Sequence, residues 1–339
     1  MKQIEKVLTF RAASIGDCMM ACYMLTQVHA QYPHARLGIV VSMRGSMIRS
    51  LLQAYPMIEV HEVRWFDIRG LVQLWKRFAR SDIVLTQYAG KPGGKFSLRS
   101  KIAARLLAKK GGLYGFADAS VLTRLIYDCV LPFDPEAAPA QMERAALQEM
   151  HIAIHDKYPT LKGGEVGALE KFDLSRGSYV LVHLFSGSDK RGLSPDRQRA
   201  LVLELVEKMP DTKIVLTGAA SEKEAALRAA LGTGALTVAG QTTLQELFVL
   251  LQQSKCVVAV DTGVAHIAAA LKVPLVVLTT CLGKQWWAPE QYGAAAPITV
   301  RIHSHSCIPH HALNAYPPCI NEIDFSEVAA CAVERGSLQ

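Results

Sequence analysis

The run Val257-Val258-Ala259-Val260-Asp261-Thr262-Gly263-Val264-Ala265-His266-Ile267-Ala268-Ala269-Ala270-Leu271 carries the most pointed chemistry in the chain. A buried strand ends in Asp-Thr-Gly and passes at once into an alanine-rich helix. Thr262 can cap that helix while its first N–H groups point outward, which makes an anion site. Glycine at 263 lets a phosphate approach the backbone, and His266, about one turn further on, can face the same ligand. A well-capped helix with an incidental histidine would use the same residues.

Two further segments place polar groups where strands end. Tyr179 to Phe185 runs into Ser186-Gly187-Ser188-Asp189-Lys190-Arg191. Hydroxyls followed by paired cations suit a diphosphate, and they also suit a solvated turn. In the first half, the strand Val7 to Ala12 leads through Ala13-Ser14-Ile15-Gly16 to Asp17 at the start of a helix. A carboxylate there is either a helix cap or a general base for a hydroxyl.

The elements that must position these residues follow from the pattern. Short β-rich runs alternate with segments of helical period, the signature of parallel sheets with crossover helices. In the first half the strands are Val7 to Ala12, Arg36 to Ser42, Ile58 to Val63 and Asp82 to Gln87, with helices over Asp17 to Gln31 and Ser46 to Ala54 and around Leu71, Leu74, Trp75 and Phe78. The Gly/Lys-rich stretch from Ala89 to Lys95 reads as a loop before a basic helix. Periodicity lapses between His155 and Ser178, and the alternation then restarts. The second half has strands at Tyr179 to Phe185, Lys213 to Thr217, Leu236 to Ala239, Cys256 to Val260 and Leu275 to Leu278. Ser194-Pro195-Asp196 and Thr243-Leu244-Gln245-Glu246 are helix starts. The expected division is a domain over residues 1–160, a linker over 161–177, a second domain over 178–322 and a terminal helix over 323–339. Beyond Pro297 the chain reads as irregular until that helix.

Composition narrows the classes. The chain has 339 residues, half of them apolar, and a formal charge of +7. That excludes a disordered or disulfide-stapled chain and fits two domains with a core each. The charge points to an anionic partner, and no nucleic-acid partner is expected. No run reaches the ~20 apolar residues of a membrane span, and Met1 to Glu5 lacks a signal-peptide core, so the expected compartment is the cytosol. The eight cysteines form no CxxC pair and read as buried thiols in a reducing compartment. Neither a Walker A segment nor a Gly-x-Gly-x-x-Gly after a strand is present.

Taken together, Ser14-Ile15-Gly16-Asp17, Ser186-Gly187-Ser188 with Lys190-Arg191, Gly240 with Thr242 to Leu247, and Asp261-Thr262-Gly263 with His266 resemble the glycosyltransferase family that includes the lipopolysaccharide heptosyltransferases, family 9. The resemblance implies an α/β chain of GT-B architecture, two Rossmann-like β/α/β domains facing a central cleft. It also implies inverting transfer from a nucleotide-sugar, with no metal or other cofactor. Asp17 becomes the base that deprotonates the acceptor hydroxyl. Ser186, Ser188, Lys190, Thr262 and Gly263 meet the donor diphosphate, Asp261 and His266 complete that pocket, and Glu222 matches a ribose-binding position. The implied donor is ADP-heptose and the acceptor a lipopolysaccharide-core or other envelope glycan. The chain departs from the family in reading Gly192-Leu193-Ser194-Pro195 where Trp-Pro is usual, and in lacking proline at Leu184-Phe185-Ser186. A sugar-nucleotide epimerase of the same architecture and a non-catalytic nucleotide-sugar-binding protein are the alternatives.

Three smaller features have readings of their own. His303, His305, Cys307, His310, His311 and Cys319 supply ligand types for zinc at spacings that match no established pattern, so an irregular loop is expected. Trp286 and Trp287 either stack on a sugar or base or pack beneath a loop. Lys91, Lys95, Arg99, Lys101, Arg105, Lys109 and Lys110 either bind a phosphorylated glycolipid or an anionic leaflet, giving peripheral contact with the inner membrane, or are scattered surface charges.

Overall fold

The computed structural model describes residues 3–11, 14–41, 45–64, 67–88, 95–155, 158, 160–161, 167–281, 283–293, 297–302 and 315–337. The chain divides into two compact units, Met1–Pro159 and Thr160–Gln339. In the first unit the order is β1 (Lys6–Phe10), α1 (Ile15–Gln31), β2 (Arg36–Val41), α2 (Gly45–Leu51), β3 (Ile58–Glu62), α3 (Ile68–Phe78), β4 (Ile83–Thr86), α4 (Leu98–Leu107), β5 (Leu113–Phe116), α5 (Thr123–Ile126), β6 (Cys129–Leu131) and α6 (Pro139–Glu149). The second runs α7 (Gly167–Lys171), β7 (Tyr179–His183), α8 (Pro195–Lys208), β8 (Lys213–Leu216), α9 (Lys223–Ala230), β9 (Leu236–Thr237), α10 (Leu244–Gln253), β10 (Cys256–Val260), α11 (Gly263–Ala270), β11 (Leu275–Leu278), α12 (Pro289–Tyr292), β12 (Ile298–Arg301), α13 (Pro318–Asn321) and α14 (Phe325–Gly336).

Each unit holds a parallel sheet, in the orders β3-β2-β1-β4-β5-β6 and β12-β11-β10-β7-β8-β9. Counted within its own unit, each sheet has the same order, 3-2-1-4-5-6, that of dinucleotide-binding sheets. The two halves therefore share one topology although no repeat is visible in their residues. The order in which strands are added reverses between β1 and β4, where Phe10 pairs with Thr86, and between β7 and β10, where His183 pairs with Ala259. Ligands of such sheets sit beyond the carboxyl ends of the strands at that reversal. The central strands β7 and β10 are buried along their whole length, as strands covered on both faces must be. Their apolar side chains join α8, α9 and α14 in the second core; Leu8, Phe10 and Val84 join α3 and α4 in a first-unit core.

Several expectations need correction. The segment expected as a linker belongs to the second unit: the Leu161 N–H donates to the Ala270 carbonyl at 3.0 Å, and α7 buries Ala168 and Leu169 beside α10. The terminal helix is part of the second core, through Phe325, Val328 and Ala332. Residues after Pro297 are not irregular at once, because Ile298–Arg301 pairs with β11 as an edge strand. Among the described residues, no helix is long and apolar enough to cross a membrane.

Candidate active site

In the first unit, the carboxyl end of β1 turns into α1 through Ser14. Its hydroxyl accepts the Asp17 N–H at 3.1 Å, so Ser14 is the cap and Asp17 sits in the first helical turn. Both Asp17 carboxylate oxygens are engaged: the Ser14 hydroxyl donates to Oδ2, and the Gln87 amide, arriving from the exit of β4, donates to Oδ1. Asp17 is 8% exposed. Burial raises its carboxyl above the ordinary range, and nearby Glu143 adds to this; the Ser14 bond, the Arg11 charge and the Gln87 bond act the other way. Arg11 forms a two-pronged, fully buried pair with Glu143 of α6, at 2.5 and 2.9 Å. The Tyr88 hydroxyl, buried in the same neighbourhood, has no hydrogen-bond partner among the described residues.

The second unit places the Asp-Thr-Gly turn at the end of β10. Thr262 occupies the cap position in extended backbone, yet its hydroxyl caps nothing and is buried without a partner among the described residues. The expected side-chain cap is therefore absent, and the first amides of α11, from Gly263 onward, are left open to an anion. Asp261 is 5% exposed. Its Oδ1 accepts the Trp287 indole N–H at 3.1 Å. Burial lifts this carboxyl to about 6, against the pull of the Arg191 charge and the indole bond. The Nδ1 of His266 lies 2.5 Å from the Tyr292 hydroxyl, and its Nε2 lies 3.8 Å from Asp261 Oδ1. Burial, and then the Arg191 charge, lower the imidazole to about 3. It is neutral at ordinary pH, so its approach to Asp261 is not an ion pair.

The tryptophans belong to this cluster. Trp287 is buried and stacks on the His266 ring at 4.7 Å and 9°, while Trp286 meets the same ring edge-on at 5.6 Å. Packing against the site histidine, rather than an open face for a sugar, is the observed state of Trp287. Gly283 is required here: a Cβ at this position would lie 2.5 Å from Asp261 Oδ2 and 2.6 Å from Thr279 Oγ1. The hydroxyls of Thr279 and Thr280 at the end of β11 are buried without partners among the described residues.

Beyond β7, Ser186 and Ser188 fold into a tight turn. Ser186 Oγ accepts the Ser188 N–H, and Ser188 Oγ accepts the Lys190 N–H, each at 3.3 Å. Lys190 and Arg191 are exposed. It is the charge of Arg191 that reaches Asp261 and His266. Glu222 accepts the Ala219 N–H at 2.7 Å, so one of its oxygens serves the local turn. Ser186, Ser188 and Glu222 line one cavity of about 330 Å³ with Phe185, Arg228 and Tyr316. Asp261, Thr262, Gly263 and His266 form a separate cluster at the same sheet reversal. Asp17 belongs to the other unit.

Reading the sequence missed Gln87, Arg11, Glu143, Gly283 and Tyr292. The position of Gln87 after a strand was the one usable signal, since strand ends at a sheet reversal are where ligands gather. Of the histidine and cysteine cluster, all but Cys319 lie outside the described residues; Cys319 is buried, and its sulfur accepts the Cys281 N–H at 3.5 Å. Among the described residues, no group of three His, Cys, Asp or Glu side chains is placed to hold a metal. In the basic stretch Lys91 is outside the described residues, while Lys101, Arg105 and Lys109 pair with Asp118, Asp128 and Asp82.

Comparison with known proteins bears on this arrangement. Residues 139–295 match the model of glycosyltransferase family 9 (heptosyltransferase). No curated protein sequence matches the chain. Among solved structures, the chain is similar to an Escherichia coli ADP-heptose lipopolysaccharide heptosyltransferase II, with 19% identity, 98% and 99% of the two chains covered and a TM-score of 0.74. It is also similar to a family 9 glycosyl transferase from Veillonella parvula, with 14% identity, coverage of 100% and 99% and a TM-score of 0.77. For the E. coli heptosyltransferase WaaC with ADP, the values are 18%, 98% and 99%, and 0.65. These likenesses establish the GT-B type of fold. The match over residues 139–295 marks that segment as similar to a glycosyltransferase family 9 domain, which supports a glycosyltransferase.

Proposed function

We propose that the protein moves a heptose from ADP-heptose to a hydroxyl of a lipopolysaccharide-core or related envelope glycan, with inversion, without a metal, in the cytosol. The observation that carries the reading is the open amino end of α11 after Asp261-Thr262, with the Arg191 charge beside it. Amides and a cation aimed at one place favour a diphosphate, above all one leaving with a full extra charge. In the separate cavity beyond β7, Ser186 and Ser188 with the nearby Lys190 are assigned to the rest of the donor, and Glu222 offers its second oxygen to a ribose. The donor is taken from the names of the similar structures, which carry ADP-heptose and ADP.

The acceptor step needs a base, and Asp17 fits the task. Its buried carboxyl is more basic than an exposed one and is fixed in orientation by Ser14 and Gln87. Asp17 takes the proton of the acceptor hydroxyl as that oxygen attacks the anomeric carbon from the face opposite the diphosphate. The carbon–oxygen bond to the donor breaks, and the nucleoside diphosphate keeps the electron pair.

The test is incubation with ADP-heptose and deacylated lipopolysaccharide core, following released ADP and the acceptor mass. A gain of one heptose with matching ADP is expected, and Asp17→Asn should slow both by about 10²–10⁴-fold. Conversion of the donor sugar without acceptor would replace transfer by epimerisation. Donor binding with no turnover on any core preparation would leave only a binding protein.

A further inference from the structure

His266 stands in the first turn of α11, and which nitrogen of its ring carries the proton decides what the ring can offer a ligand. Packing fixes the plane of the ring: Trp287 stacks on it at 4.7 Å and 9°, and Trp286 closes on it edge-on. Within that plane the two nitrogens have different neighbours. Nδ1 meets the Tyr292 hydroxyl at 2.5 Å, and Nε2 faces Asp261 Oδ1 at 3.8 Å. Burial keeps the imidazole neutral, so one nitrogen holds a proton and the other a lone pair.

Two arguments put the proton on Nε2. Tyr292 is 1% exposed, and Nδ1 is the one hydrogen-bond partner of its hydroxyl among the described residues. Burial pushes the phenol well above its ordinary range, so the hydroxyl keeps its proton. A protonated Nδ1 would donate to the phenol oxygen and leave the phenol O–H buried with nothing to donate to, which is costly. A bare Nδ1 accepts that O–H, and both groups are satisfied. The second argument comes from Asp261, whose ionised carboxylate only accepts. A bare Nε2 would set lone pair against lone pair there, whereas an Nε2–H turns a positive edge to the oxygen. At 3.8 Å that approach is too long for a hydrogen bond, so the N–H keeps its capacity to donate.

Tyr292 is itself held in place. The Lys272 ammonium donates to its carbonyl at 2.7 Å, and its ring lies against that of Trp287 at 6.1 Å and 27°. Lys272 follows the end of α11, so the segment carrying Tyr292 is tied to the same helix whose beginning bears His266.

We infer that Tyr292 is a positioning residue, whose hydroxyl donates to Nδ1 and thereby holds His266 as an Nε2–H donor for an oxygen of the nucleotide diphosphate at the amino end of α11. This rests on the donor reading above. No proton is transferred: the N–H bond to the diphosphate strengthens as charge grows on the departing oxygen. His266 is then a leaving-group contact and not a second base beside Asp17.

The test uses the full-length chain with its eleven histidines labelled with nitrogen-15, and long-range proton–nitrogen correlation at neutral pH. Signals of His266 are those lost in His266→Gln. A bare Nδ1 and a protonated Nε2 are expected, with the Nε2–H signal moved by added ADP and not by adenosine. Tyr292→Phe should give a mixture of tautomers and lower kcat about tenfold, with KM for ADP-heptose within about twofold. In the His266→Gln background, where an amide N–H donates without any tautomer, Tyr292→Phe should change kcat less than about twofold. A proton on Nδ1 in the unmodified chain, an Nε2–H signal indifferent to ADP, or an equal kcat loss from Tyr292→Phe in both backgrounds overturns the inference. Failure of the transfer reading is read separately, as absence of turnover by the unmodified chain, and the spectrum still decides the tautomer.

Discussion

Asp261 is a carboxylate held where water is nearly absent, and removing its charge should make the protein more stable. Its folded value of about 6 stands above the unfolded 3.8, a gap that costs about 3 kcal/mol once both states are ionised, at 1.36 kcal/mol per unit. Because the folded value is raised, the contribution of Asp261 to stability is complete below 3.8 and is lost as pH rises through about 6. Asp261→Asn removes the charge and keeps an oxygen that can accept the Trp287 N–H. Allowing for a poorer hydrogen bond to a neutral acceptor, the second unit should gain about 2 kcal/mol at pH 8, or about 4–8 °C in melting temperature. His266, lowered to about 3, costs stability as pH falls from 6.5, but it does so in both proteins and cancels from their difference. The assay is thermal unfolding followed by tryptophan fluorescence across pH 4–8, with Trp287 beside the substituted group as reporter. The advantage of the variant should be full at pH 8 and nearly gone at pH 4. A difference that is the same at both ends, or a less stable variant at pH 8, would refute the reasoning.

Three other outcomes are expected. Asp17→Asn should lower turnover by about 10²–10⁴-fold while calorimetric donor affinity stays within about twofold; a parallel loss of affinity would make Asp17 a donor residue instead. In Glu143→Gln, Arg11 loses the acid that neutralises it and acts on Asp17 alone, so the acidic limb of kcat/KM should move to lower pH as the base weakens; an unmoved limb would disconnect that buried pair from the base. Gly283→Ala drives a methyl into Asp261 and Thr279 and should destabilise by about 1–3 kcal/mol in urea unfolding, with a wild-type midpoint showing that the loop can yield.

The parts legible in the sequence were those fixed by local pattern. Runs such as Tyr179–His183 and Cys256–Val260 are apolar because both sheet faces are covered, and that alone placed the central strands. β12 was not legible: it lies at a sheet edge, half-buried throughout, so its residues show no strong pattern. α7 was hidden in a glycine-rich stretch whose packing comes from α10, far along the chain. The surroundings of Asp17 were illegible for the same reason, because Gln87 reaches it across 70 residues and Glu143 reaches Arg11 across 132. Thr262 shows the reverse failure, since its residue type is right for a cap and the backbone leaves its hydroxyl turned inward.

Each unit closes its own sheet in the same strand order, and the division at Pro159–Thr160 cuts neither sheet. That makes the junction a natural crossover point for recombination between relatives. A chimera joined there would inherit one complete sheet with its helices from each parent. Substitutions in one unit can then accumulate without repacking the other, since each has an interior of its own.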